Sequence, residues 1–257
     1  MRASLIQIAV NSDETVEKRR ARVARLVREE RGAADLVVLP ELWTTGAFAY
    51  EDFVAEAEPL KGPTHEAMAA AARDAGVWLH AGSIVEAAAG ALYNTSLVFS
   101  PDGELAARYR KIHRFGFDKG EAVMMAAGDA LVTVDLPDLT AGVATCYDLR
   151  FPELFRGLVD AGAHAFVIPA GWPARRLGHW TLLARARAVE NQAYVLACGT
   201  AGTHAGVEQA GHSLVVDPWG EVLAEAGPDE EIRRVTLDPA KVTATREQFP
   251  ALKDRVL

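Results

Sequence analysis

Glu41, Lys111 and Cys146 offer different chemistry from one kind of position. Glu41 follows the apolar run 35–39 and Pro40, Lys111 follows the run 105–109, and Cys146 follows the run 139–144. Each run reads as a strand, so a carboxylate, an ammonium and a thiol all stand just past strand ends. In α/β proteins such ends gather on one rim, where sites are built. A free thiol has a pKa of about 8.5 and is mostly protonated at neutral pH. A neighbouring ammonium lowers that value, and a carboxylate accepts the proton as sulfur attacks. The ammonium, joined by the N–H of Tyr147, would then stabilise the oxyanion of a tetrahedral intermediate. The expected chemistry is acyl transfer through a thioester, with Glu41 activating the water that releases it.

Each group also has a plain reading. Glu41 alone is a solvated loop acid, Lys111 one more lysine in the basic run 108–114, and Cys146 a small buried hydrophobe. Standing together at strand ends, they outweigh those readings. Cys146 sits at an elbow besides: its strand stops at Thr145, and Pro152 then opens a helix, where a missing N–H costs least. Glu121 is a fourth candidate, in a glycine-punctuated segment, 115–129, that reads as a loop. By residue logic alone it is a plain loop acid.

The elements that must hold these groups alternate along the chain. Strands are expected at 5–10, 35–39, 77–85, 92–99, 105–109, 131–134, 139–144, 165–168, 194–198, 213–216, 221–223 and 232–237. A helix capped by Asn11 or Ser12 carries Val16, Val23, Leu26 and Val27 at helical spacing, and further helices are expected at 64–75, 152–161 and 177–191. Ser100-Pro-Asp-Gly103 and Asp217-Pro-Trp-Gly220 mark hairpins. The last twenty residues are polar and read as helical. Such a mixture implies a mixed sheet system with helices outside it, in one domain.

Composition narrows the function classes. The chain has 257 residues, of which 50% are hydrophobic and 24% charged, with a net charge of −8. That balance argues against general nucleic-acid binding but leaves room for a local basic pocket. Two cysteines, Cys146 and Cys198, make neither a disulfide scaffold nor a Cys-x-x-Cys pair, and Cys198 reads as a core residue inside its strand. The N-terminus reads as a first strand rather than a signal peptide, and no apolar run approaches a membrane span. A reducing cytoplasm is therefore expected, with no membrane partner, and the acceptor motif Asn94-Thr95-Ser96 is discounted. No glycine fingerprint or phosphate loop suggests a nucleotide cofactor, and His80, His113, His179, His204 and His212 lack metal-ligand spacing. No cofactor and no metal are expected.

Pro40-Glu-Leu-Trp-Thr-Thr-Gly46, Tyr109-Arg-Lys-Ile-His113 and Cys146-Tyr-Asp-Leu-Arg-Phe-Pro-Glu153 resemble the signature blocks of the nitrilase superfamily, the carbon–nitrogen hydrolases. Order and spacing agree, and Tyr93-Asn-Thr-Ser96, 185–192 and 211–220 resemble further family segments. The resemblance implies one carbon–nitrogen hydrolase domain over residues 1–257, folded as an αββα sandwich. It implies a homodimer or higher assembly, αββααββα in the dimer, built through helices 152–161 and 179–191. It also implies a catalytic triad on Glu41, Lys111 and Cys146 with Glu121 in support, although the block around Glu121 is divergent. The elbow resembles Nit-type amidases more than true nitrilases. The run 169–176 with His179-Trp180 is most similar to bacterial omega-amidases, which act on 2-oxo acid monoamides such as 2-oxoglutaramate. On that reading Trp172 walls the pocket, and Arg150, Arg175 or Arg176 meets a substrate carboxylate, for which Arg is suited. Alternatively Arg175 and Arg176 are a solvated pair, and Arg150 pairs with Glu153. Other substrates stay open: an N-carbamoyl amine, deaminated glutathione, an aliphatic amide or a nitrile. So does a catalytically idle member that serves as a scaffold.

Overall fold

In the computed structural model, which describes residues 1–256, the apolar runs form two six-stranded sheets packed face to face under outer helices. In chain order the first part holds β1 (Arg2–Gln7), α1 (Val16–Glu29), β2 (Leu36–Val38), α2 (Pro63–Ala75), β3 (Trp78–Ala88), β4 (Ala91–Phe99), β5 (Leu105–Arg110) and the short α3 (Glu121–Met124). The second holds β6 (Thr133–Asp135), β7 (Thr140–Val143), α4 (Pro152–Asp160), β8 (Ala165–Ala170), α5 (Leu177–Asn191) and β9 (Tyr194–Gly199). It closes with β10 (Thr203–His204), β11 (Val207–Glu208), β12 (Leu214–Val216), β13 (Val222–Glu225), β14 (Glu231–Thr236) and α6 (Ala240–Gln248). One sheet runs β14-β1-β2-β3-β4-β5, and the other β13-β12-β9-β8-β7-β6. β1, β2 and β3 are parallel, as are β7, β8 and β9, while the flanking pairs are antiparallel.

The layering follows from strand alternation, which sends successive side chains to opposite faces. In β9, Tyr194, Leu196 and Cys198 enter the core between the sheets, whereas Val195 and Ala197 face the helices. Leu5 and Ile6 of β1 divide in the same way. Strands buried on both faces explain the continuous apolar runs. α1 and α2 cover one sheet, and α4 and α5 the other, giving the expected αββα order. α4 has Pro at its first turn and buries Leu154, Phe155 and Leu158. Each such burial contributes about 1.5–3 kcal/mol, which secures the helix that follows the Cys146 elbow.

Several boundaries differ from expectation. β1 starts at Arg2, because Arg2 to Gln7 pair with β14 and Ala3 to Leu5 with β2. Thr15, not Asn11 or Ser12, caps α1, and its hydroxyl accepts from the Lys18 N–H at 3.4 Å. The segment 115–129 is not wholly loop, since α3 forms within it and turns Glu121 inward. Among the described residues no helix is long and apolar enough to cross a membrane.

Candidate active site

Glu41 lies past the end of β2 on a turn held from below. The Leu42 N–H donates to Ser83 Oγ at 3.1 Å, and the Trp43 indole N–H to Ala81 O at 2.9 Å. Between those anchors Gly82 has φ 66°, and a Cβ there would lie 1.9 Å from Pro40 O. Only glycine lets β3 come this close to the Glu41 turn. Lys111 follows β5, its N–H bonded to Asn94 O in β4 at 2.9 Å. Cys146 opens a 3-10 turn, Cys146–Arg150, with φ 46°, in the left-handed region that side chains rarely adopt.

Asp148, wholly buried, holds the elbow in place. One carboxylate oxygen accepts from the Tyr109 hydroxyl (2.7 Å) and the Thr145 N–H (2.9 Å). The other lies 3.0 Å from the His113 backbone nitrogen, whose N–H it accepts, and 2.8 Å from His113 Nδ1. The His113 ring stacks on Phe151 at 3.7 Å, and Arg187 donates twice to Leu149 O, at 3.0 and 2.8 Å. The strand that delivers Lys111 is thereby tied to the turn that delivers Cys146.

The side chains converge in the interior. Lys111 Nζ donates to Glu41 Oε1 at 2.7 Å and to Glu121 Oε2 at 2.6 Å. Asn94 Nδ2 spans the same two acids, at 2.8 Å to Glu41 Oε1 and 2.5 Å to Glu121 Oε1. The Gly171 N–H completes Glu41 at 2.8 Å, and the Phe115 N–H completes Glu121 at 2.8 Å. Each carboxylate thus accepts three hydrogen bonds inside the protein. Cys146 Sγ stands 3.8 Å from Gly171 O, beside Glu41. No described residue accepts from the Tyr147 N–H.

Electrostatics assign the protons. Burial pushes the Cys146 thiol well above its ordinary value, the Glu41 charge adds to that, and Lys111 only partly opposes it. Burial works against the Lys111 ammonium, but Glu121 and Glu41 outweigh it and hold its pKa well above the usual lysine range. Burial raises the Glu121 pKa, against Lys111 and Asn94. The resting site is therefore a neutral thiol beside Glu41, with Lys111 kept as its ammonium. Such a set suits concerted proton removal and attack rather than storage of a thiolate.

These groups floor a cavity of about 20 Å³, little more than the ~10–15 Å³ that one water fills. Phe48, Phe115 and Trp172 wall it, and Arg150 and Arg176 line it with them. The Trp172 N–H donates to Arg176 O at 2.8 Å, and the Arg150 guanidinium lies 4.9 Å from the Trp172 ring centre. Arg150 also donates to His179 Nδ1 at 3.3 Å, while Glu153, the partner considered from sequence, is exposed. Arg176 sits over the Phe115 ring at 5.3 Å. Arg175 is exposed and outside the lining: neighbouring residues of its 3-10 turn point apart, and only Arg176 turns inward.

Asn94 and Gly171, which bond the acids, and Phe48 and Phe115, which wall the cavity, are not singled out by the sequence. Asn94 lies in a family-like block, but a buried amide in mid-strand carries no local signal of its bonding. Gly171 donates to Glu41 and stands where a Cβ would lie 2.3 Å from Ala47 Cβ and 3.5 Å from Glu41 Oε2. Gly171→Ala should push against Ala47, shift the Gly171 N–H that holds Glu41, lower kcat by about 10²-fold and cost about 1–3 kcal/mol of stability. Wild-type kcat in that variant would show that the close approach is dispensable.

The comparisons identify the family. A family model for carbon-nitrogen hydrolase matches residues 2–247. A 2-oxoglutaramate amidase of Paenarthrobacter nicotinovorans is 43% identical over 97% of this chain and 87% of its own. An omega-amidase of Mus musculus is 38% identical over 99% of this chain and 94% of its own. Among solved structures, a CN-hydrolase superfamily protein of Xanthomonas campestris, with an arsenic adduct in its active site, superposes at TM-score 0.93. It has 31% identity and covers 100% of this chain and 97% of that one. A branch 10 nitrilase superfamily member of Saccharomyces cerevisiae gives TM-score 0.88 at 32% identity, over 100% and 97%. Sequence, fold and relatives place this amide-hydrolysing enzyme in one group, and the chain belongs to the carbon–nitrogen hydrolase family of the nitrilase superfamily.

Proposed function

We propose that this enzyme hydrolyses the terminal amide of a small substrate that also bears a carboxylate, of the 2-oxoglutaramate type, to acid and ammonia. The observation that carries the reading is a pair of arginines, Arg150 and Arg176, lining a narrow cavity floored by Cys146. A carboxylate at the arginine wall would leave the amide over the sulfur. The relatives named 2-oxoglutaramate amidase and omega-amidase support the same assignment.

In the first half reaction Cys146 Sγ bonds to the amide carbon as its proton passes to Glu41. Lys111 Nζ and the Tyr147 N–H hold the oxyanion. Glu41 returns the proton to the nitrogen, the C–N bond breaks, and ammonia leaves a thioester. Water then loses a proton to Glu41 and attacks the thioester carbon. Collapse expels the sulfur, which regains its proton from Glu41, and the acid departs. Glu121 supports Lys111 throughout.

Ammonia release from 2-oxoglutaramate, compared with deaminated glutathione, an N-carbamoyl amine, an aliphatic amide and a nitrile, tests the assignment. Faster turnover of any other member would overturn the proposed substrate class. Arg176→Gln should raise KM for 2-oxoglutaramate by about 10–100-fold, the loss of one charged hydrogen bond. Its kcat should be nearly unchanged, as should turnover of an amide without a carboxylate. An equal effect on both substrates would remove Arg176 from carboxylate recognition.

The chain acts on this reading as one catalytic unit in a reducing cytoplasm, where a free nucleophilic thiol persists. A homodimer through the α4–α5 face also belongs to the proposal. Leu182 and Val189 of α5 are 66% and 52% exposed, which leaves apolar surface for a second copy to cover. Sedimentation as a single chain would refute it.

A further inference from the structure

We propose that Asn94 is a positioning residue of the reaction, holding the carboxyl groups of Glu41 and Glu121 in place around a single lysine. The inference rests on the thioester reading above and adds a group that acts through Glu41 and Glu121 rather than on the substrate.

One ammonium faces two acids, and in a water-poor interior two charged carboxylates would be one cation short. Asn94 supplies the difference without adding charge. An amide has two N–H hydrogens, and here one points to each acid, at 2.8 Å and 2.5 Å. The opposite amide orientation would set a carbonyl oxygen against two carboxylates, so the acids themselves dictate which way it faces. Asn94 Oδ1 is left buried with no protein partner among the described residues, and the residue is 2% exposed. The orientation thus serves the acids rather than the asparagine. The same residue accepts the Lys111 N–H through its backbone carbonyl, so one β4 position sets both acids and the base of the lysine.

The lysine benefits as well. Its ammonium has three hydrogens, two of which go to Glu41 and Glu121. With Asn94 sharing both acids, the third remains for the oxyanion. Burial places Asn94 out of reach of glycosylation, which leaves its amide chemistry as the reason for its place.

Asn94→Ala and Asn94→Ser are compared with the wild type for ammonia release against pH, on the best amide of the panel above. The groups facing Asn94 that titrate or carry charge are Glu41 from the loop after β2, Glu121 from α3, Lys111 from the end of β5 and Cys146 from the elbow. Tyr50, Arg150 and Arg176 stand farther out. Removing a donor that favours the charged form of an acid raises that acid's pKa. The acid limb of the kcat–pH profile should therefore move up by about one pH unit. At neutral pH kcat should fall by about 10²-fold, with KM nearly unchanged. A lower kcat with the acid limb unmoved would make Asn94 merely structural and overturn the proposal, as would wild-type kcat. If Asn94→Ala fails to fold, Asn94→Ser, which keeps a short donor, decides alone on the position of that limb. Cys146→Ala separates the two ideas: activity retained there defeats the thioester reading itself, whereas a dead Cys146→Ala beside a wild-type Asn94→Ala defeats only this one.

Discussion

Cys146→Ala lowers ammonia release by about four orders of magnitude or more, while the thermal unfolding transition stays close to that of the wild type. The substitution deletes the atom to which the acyl group bonds, and no other described thiol or hydroxyl lines the cavity beside Glu41 except the Tyr147 phenol. Its structural effect is small because Asp148, Tyr109, Thr145 and His113, not the sulfur, hold the elbow. Cys146→Ser should be nearly as inactive, since a hydroxyl gives up its proton far less readily than a thiol. The wild-type thiol carries a further signature. Burial and Glu41 raise its pKa, so the thiolate is not stored at neutral pH. Alkylation by iodoacetate, followed as a mass shift on Cys146, should still be accelerating with pH above the ordinary thiol range. A rate that levels off in mildly acidic solution would mean a resting thiolate and would rule out Glu41 as the group that must take the proton. Full ammonia release from Cys146→Ala would end the mechanism outright.

Lys111→Met should remove both activity and stability. Lys111 is fully enclosed and joins two buried carboxylates, at 2.7 Å and 2.6 Å. Methionine fills most of its volume but leaves Glu41 and Glu121 facing each other without a cation. Breaking a buried ion pair in this way typically costs about 3–5 kcal/mol. The cost should depend on pH with a definite sign. Without the lysine, the Glu121 pKa, already raised by burial, rises further above its unfolded value. Such a rise penalises the folded state in full above the raised value, and the penalty disappears below the ordinary glutamate value of about 4.3. Urea unfolding should therefore show the deficit at neutral pH and a smaller one in mild acid. A deficit equal at both pH values would mean that lost packing, not the unpaired acids, is responsible.

Much of the architecture is legible along the chain because burial on both faces of a strand leaves a continuous apolar run. β2, β8 and β9 fall within a few residues of expectation for that reason. α4 and α5 do so as well, α4 with its Pro at the first turn. Where structure and expectation part, long-range pairing decides. β1 ends at Gln7 because its pairing with β14 and β2 reaches no further, and nothing local distinguishes Ile6 from Ile8. The helical turn of α3 is only four residues long, too short for any period to show.

The sequence by itself determined which chemical groups are present and that Glu41, Lys111 and Cys146 follow strand ends, since strand runs and their stops are local properties. It also carried the family blocks. Only the tertiary structure decided which side chains share the cavity. Glu41 meets the Gly171 N–H across 130 residues of chain, and Lys111 meets Glu41 across 70. Asn94 reaches both acids because β4 lies between β3 and β5, a fact of sheet order rather than of any neighbouring residue. Arg176 lines the cavity while Arg175 faces solvent, since adjacent side chains on one turn diverge. Chemistry of single residues is written in the chain, but the distances that let them act together arise only when distant strands pair.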